Sequence, residues 1–193
     1  MNFSEIKGAT LLGFLVLSTA VCGQNQQALK VDVLGWVFQE YGLTYERCIS
    51  NALSVQIGGG FHAGNQTMEA IPSPLSLPQF LVQESTLSGF FSIVEMRWYV
   101  QGQAGKGLYV AAAGQRSNRE YVAADGALLL TKKSVGASAI VGFQAVKGKL
   151  LLDVFAGTKT MNDDREGEYR ESYALFPHSG WQLRCGLNMG LVR

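Results

Sequence analysis

Six charged side chains of this chain fall on the polar face of successive alternating stretches: Glu46, Glu95, Arg97, Asp153, Lys159 and Arg184. Three are acids and three are bases. Charge is scarce here, since Asp, Glu, Lys and Arg make up 16% of 193 residues against roughly 25% in an ordinary soluble domain. A balanced set facing a narrow interior predicts a structural ion-pair network, because a charge buried there without a partner is costly. Glu46 and Glu95 are the carboxylates that glycoside hydrolysis would call on, but that chemistry needs a cleft for a sugar between them. His62 and His178 are the other chemical candidates, because a histidine at a strand lip can activate a serine against lipid esters. No G-x-S-x-G elbow and no compact Ser/His/acid arrangement accompanies either, so both read as solvated histidines at loop ends.

Cys22, Cys48 and Cys185 are the only cysteines. They form no CxxC pair and no Cys/His cluster with metal-ligand spacing, and Cys185 reads as a small hydrophobe. Gly58-Gly59-Gly60 is followed by no Lys-Ser/Thr and no helix, so it is not a phosphate loop; it reads as strand glycine. No cofactor, metal or catalytic residue is expected.

The elements that position the charges are strands. In the last stretch, Ser179 to Arg193, the residues Trp181, Leu183, Cys185, Leu187, Met189 and Leu191 alternate with Gln182, Arg184, Gly186, Asn188 and Gly190, the period of two that an extended chain imposes. Leu53, Val55, Ile57 and Phe61 oppose Ser54, Gln56, Gly58, Gly60 and His62 in the same way. Phe90, Val94, Met96, Trp98 and Val100 oppose Phe91, Ile93, Glu95, Arg97 and Tyr99. Further strands are expected over 30–38, 41–46, 107–116, 134–146 and 149–159, eight in all with the closing one. An apolar outer face over a polar inner face is the pattern of a transmembrane barrel.

Connections at 48–51, 101–106 and 147–148 are short. Those at 64–86, 117–133 and 161–178 are long; the first holds Pro72, Pro74 and Pro78, and the second holds Asp125-Gly126, a hairpin signal that carries strands five and six beyond a membrane. The third is acidic. Short turns on one side and long loops on the other suit such barrels, with both termini on the short-turn side. Phe90 and Trp98 lie ~20 Å apart on a tilted strand, near the two edges of an apolar band.

Lys7 precedes the apolar run Leu11 to Leu17, which is followed by small residues to Gly23, as in a secretory signal. The run is shorter than the ~20 residues a spanning helix needs. Residues 1–23 are therefore expected to be a cleaved signal peptide, and 24–193 one barrel domain. A net charge of +1, with no basic cluster interleaved with aromatics, excludes a nucleic-acid partner.

Glu95, Arg97, Trp98 and Tyr99, then Lys106, Gly107, Leu108 and Tyr109, then Gly142, Phe143 and Gln144, resemble marks of an uncharacterised, domain-of-unknown-function family of Bacteroidetes-type outer-membrane β-barrels. Tyr45-Glu46-Arg47 before a short turn is similar as well. The resemblance covers most of residues 30 to 193 and implies fold and outer-membrane location, the family having no agreed activity. Such barrels usually end in an aromatic residue, whereas this chain ends Val192-Arg193.

The expectation is an all-β, eight-stranded antiparallel up-and-down transmembrane barrel, monomeric, in contact with outer-membrane lipid and without enzymatic activity. Its role is structural, or surface interaction through loops 64–86, 117–133 and 161–178 with an envelope or surface partner. Two other readings are a lipid-modifying enzyme using His62 or His178, and a soluble lipocalin-like carrier. The carrier requires inversion, with Trp181, Leu183, Leu187 and Met189 inside and Glu95, Arg97 and Arg184 in water.

Overall fold

The computed structural model describes residues 26–37, 39–70, 82–167, 169–171 and 180–193; the expected signal segment, Pro72, Pro74, Pro78 and His178 lie outside them. The chain is all-β. Its strands are β1 (Gln27–Asp32), β2 (Glu40–Cys48), β3 (Leu53–Ala70), β4 (Val82–Gln103), β5 (Lys106–Ala123), β6 (Leu128–Lys147), β7 (Leu150–Gly167), β8 (Tyr169–Glu171) and β9 (Gly180–Val192), with one short helix, α1 (Val33–Val37). Every pairing is antiparallel, in the order β2-β1-β9-β7-β6-β5-β4-β3, and a further β2–β3 pairing closes these eight strands into a ring. The three-residue β8 adds to the far end of β3, Ala70 opposite Tyr169.

Sequence and structure differ first at the amino end. The expected strand over 30–38 is β1 ending at Asp32, then α1. The Asp32 carboxylate accepts the Gly35 N–H at 2.9 Å, the helix-capping use of an aspartate, and the helix removes the poor alternation of VLGWV from the sheet. Two of the three long connections, 64–86 and 161–178, are corrected, and 117–133 is the strand extension that Asp125-Gly126 signals. Strand β3 runs on to Ala70 and β4 starts at Val82, so much of 64–86 is paired, as in Asn65↔Thr86 and Gln66↔Ser85. Only Ala124 to Ala127 separates β5 from β6, and β7 continues to Gly167. In these extensions polar residues interrupt the two-residue period, and the apolar ones come as a run in Leu128-Leu129-Leu130, so side-chain alternation fades while main-chain pairing persists. The Asp125-Gly126 hairpin is present: Gly126 adopts φ 87°, its N–H reaches Ala123 O at 2.9 Å, and Asp125 Oδ1 accepts from Ala127 N–H.

The wall is uneven. Strands β3 to β7 have 18 to 22 residues, whereas β1, β2 and β9 have 6, 9 and 13. Inside the tall part Leu87, Tyr121, Ala123, Leu129 and Leu130 form a small apolar core. Outside, along the ring, runs an apolar belt that includes Phe90, Trp98, Phe143, Leu150, Leu183 and, most exposed at 72%, Trp181. Tyr41, Phe61 and Phe90 are opposite one another across β2, β3 and β4. Tyr41 stacks on Phe61 at 5.1 Å and touches Trp36 at 6.3 Å, giving an aromatic row along one edge of the belt.

The inner glycines have a packing cause. The ring of Phe91 lies over Gly60, Tyr109 over Gly142, and Phe155 over Gly186, each where a Cβ would overlap the ring, and Phe91 also leaves Gly42 only a tight fit for one. Eight strands leave room only for side chains, and each aromatic fits because its neighbour has none. Gly142→Val should push Tyr109 aside and lower stability by ~1–3 kcal/mol, measured as the urea midpoint of the detergent-folded protein; an unchanged midpoint would show that the ring does not occupy that space.

Candidate functional site

The interior centres on two cations. Lys30 on β1 is fully buried, and its Nζ stands 2.6 Å from Glu46 Oε2, 3.0 Å from Asp153 Oδ2, 2.8 Å from Gln144 Oε1 and 3.1 Å from Gln56 Oε1. Arg97 on β4 donates from Nε to Glu95 Oε1 at 2.6 Å and from Nη1 to Asp153 Oδ2 at 2.8 Å and Gln144 Oε1 at 2.9 Å. Its guanidinium lies 4.3 Å over the ring of Tyr109, whose hydroxyl donates to Asp153 Oδ1 at 2.7 Å. Tyr99 and Ser54 both donate to Glu46 Oε1, and Asn188 Nδ2 donates to Asp153 Oδ2 at 3.2 Å. Each strand of the ring contributes one group or more: Lys30, Glu46, Gln56, Arg97, Tyr109, Gln144, Asp153 and Asn188.

Of the six charges expected to pair, five do. Glu46, Glu95, Arg97 and Asp153 are together, and Arg184 reaches Glu95 Oε2 at 3.6 Å from above, while donating to Ser138 Oγ at 2.8 Å. Lys159 faces inward but stands apart, half-buried, where the charges acting on it are Glu40, Arg119, Arg184 and Lys132. Lys30 takes its place and restores three against three. Alternation over 30–38 does not single it out, because the helix breaks the period; within β1 alone, Lys30 sits between Leu29 and Val31, both outward.

A second polar group lies above. His62 is 2% exposed, not a solvated loop-end residue, because β3 continues eight residues past it to Ala70. Its Nε2 is 3.3 Å from Ser117 Oγ and its Nδ1 is 3.6 Å from Glu40 Oε1. Acid, imidazole and hydroxyl thus stand in the order that a nucleophilic serine requires. Two features stop this from being a working triad. The Nδ1 to carboxylate distance exceeds a hydrogen bond, and Arg119 donates its Nε–H to the same Nε2 at 3.4 Å and Nη2–H to Glu40 at 2.7 Å. Ser117 is also 2% exposed, and the Phe91 ring lies 5.2 Å from the imidazole. Higher still, Lys132 pairs with Asp163 at 3.3 Å, below the apolar core of the tall strands. Among the described residues no group of His, Cys, Asp or Glu could hold a metal ion.

From the short turns upward the described residues place an ion network, a histidine relay and an apolar cluster along the interior. The chain matches no protein-family model, no curated protein and no solved structure.

Removing either central cation leaves three buried carboxylates with one cation too few, a loss of ~3–5 kcal/mol. Arg97→Ala and Lys30→Met should lower the urea midpoint far more than Glu166→Ala, which cuts a pair exposed to water and should cost under ~1 kcal/mol. Equal midpoints for Arg97→Ala and Glu166→Ala would put Arg97 in solvent. A fluorophosphonate probe should leave Ser117 unmodified in the folded protein; labelling that Ser117→Ala abolishes would make it a nucleophile.

Proposed function

We propose that the chain is a non-enzymatic outer-membrane β-barrel with a lumen closed by side chains, serving envelope structure or surface interaction through its tall end. One observation carries this reading: the outer face is apolar around the ring while the charges are inside and paired. In water a belt with Phe90 62%, Trp98 57%, Leu150 65% and Trp181 72% exposed would drive aggregation; against hydrocarbon it is the favourable surface. The aromatic row Trp36, Tyr41, Phe61 and Phe90 suits a headgroup boundary, where ring faces contact lipid and polar edges meet water. No helix among the described residues is long and apolar enough to cross a membrane, and a barrel crosses with strands. The family resemblance of Glu95-x-Arg97-Trp98-Tyr99 and its companion marks points the same way.

The reading of an inverted soluble carrier is set aside on this geometry, since Trp181, Leu183 and Met189 are outside and Glu95 and Arg97 are buried within. Through the lower part of the ring every strand has a partner on both sides, so the closed wall needs no second copy, and edges remain at the upper ends of β3 and β7 beyond β2 and β9. The projecting parts of β3 to β7 are where a surface or envelope partner would dock.

Two measurements test the proposal. Detergent-folded protein should migrate differently boiled and unboiled in a denaturing gel; identical migration counts against a membrane barrel. In planar bilayers it should give no steady single-channel current, because Lys30, Arg97 and their partners fill the lumen, and stable open events would overturn the sealed interior.

A further inference from the structure

We propose that the short-turn rim is a collar for the phosphates of anionic phospholipids, built by Arg47, Lys106, Lys147 and Lys149; this rests on the membrane reading above. The segments 47–54, 99–108 and 143–152, which make the three short turns, contain these four cations and no Asp or Glu. At the opposite end, Glu84, Glu120, Asp125, Asp164 and Glu166 stand with Arg116, Lys133 and Arg165, and Lys133 and Arg165 are already paired, with Glu166 and Asp163. The two ends therefore differ in sign as well as height. Among the described residues none of the four rim cations has a carboxylate partner: Lys106, Lys147 and Lys149 are exposed, and Arg47 is half-buried on the outward face of β2.

Their placement favours lipid over a soluble anionic polymer. They do not converge on a groove; they follow the ring, from Arg47 on β2, past β1 and β9, to Lys149 before β7, Lys147 at the end of β6 and Lys106 at the start of β5. Each stands next to the apolar belt in sequence: Arg47 two residues after Tyr45, Lys106 two before Leu108, Lys149 one before Leu150, and Lys147 four after Phe143. At ~3.3 Å per residue the charges lie within snorkelling reach of the hydrocarbon edge, the depth at which phosphates are found. A cation near an anionic membrane surface favours binding by roughly fivefold each.

The test is native mass spectrometry of the detergent-folded full chain, titrated at low salt with phosphatidylglycerol or phosphatidylcholine. The protein should hold phosphatidylglycerol at least ~10-fold more tightly. The variant R47Q/K106Q/K147Q/K149Q should lose that preference with phosphatidylcholine retention unchanged, while R116Q/K133Q at the other end should keep it. Each sample is first run boiled and unboiled; if the fourfold variant does not fold, K147Q/K149Q takes its place, with a loss of at least ~5-fold expected. A folded protein with no phosphatidylglycerol preference, an equal loss in R116Q/K133Q, or tighter binding of a soluble anionic polysaccharide than of the lipid would overturn the collar. None of these touches the membrane reading, which falls only if the wild-type chain itself shows no heat-dependent migration.

Discussion

Two positive charges and three negative ones share a space that excludes water, and the rest of the barrel is arranged so that they can. Taking Lys30, Arg97, Glu46, Glu95 and Asp153 out of solvent is unfavourable by several kcal/mol per ion after relaxation. The attraction among them compensates only when each remaining polar atom is also met, which is the work of Gln56, Gln144, Tyr99, Tyr109, Ser54 and Asn188. Such a cluster is a poor source of net stability and a strong source of register. Sliding any one strand by a residue would turn its member of the cluster to the outside and bring an apolar side chain in, leaving the other charges unmatched. The glycines serve the same end, since Gly142 lets Tyr109 lie flat where its hydroxyl can meet Asp153.

Much of this was legible in the residues themselves, and the exceptions have common causes. Alternation located the inward faces of β3 to β7 and β9 and so placed Glu95, Arg97, Asp153 and Arg184, because each lies between outward apolar neighbours. Lys30 was missed where a helix interrupted the strand, and the capping role of Asp32 leaves no mark in hydrophobic periodicity. Lys159 faces inward as read, but which inward charges meet depends on how far each lies along the lumen, a quantity set by pairing register and strand tilt. The same gap hid the approach of Ser117 to His62, which are separated by 55 residues and joined only across β4. Strand length is less legible for a different reason: above the belt the outer face turns polar and the apolar residues no longer alternate, and a ladder of main-chain hydrogen bonds has no sequence period.

The two polar levels differ in what they could do chemically. The lower one is enclosed, and Arg184 reaching Glu95 from above brings it to three charges of each sign, so it behaves as a fixed strut. The upper one, with Glu40 and Arg119 29% and 22% exposed at their side chains, faces a wall that drops where β1, β2 and β9 end and α1 turns the chain. An imidazole held between an arginine and a glutamate is well oriented and poorly available, which separates a buried relay from a catalytic one in spite of their shared residue types.

Closure of the ring joins the first strand to the last: β1 pairs with β9 from Ala28↔Val192 to Asp32↔Asn188, and the Lys30–Asp153 contact spans 123 positions. With the sheet open between β1 and β9, Lys30 can still meet Glu46 across the β1–β2 pair, but it is separated from Asp153, which is left with Arg97 as its cationic partner at this level. Contacts of such long separation make folding slow, and an unfinished barrel keeps a hydrated, electrically unbalanced inner face. That face holds the open sheet in a hydrated state, so the pairing of β1 with β9 is the step that commits the molecule to its closed form.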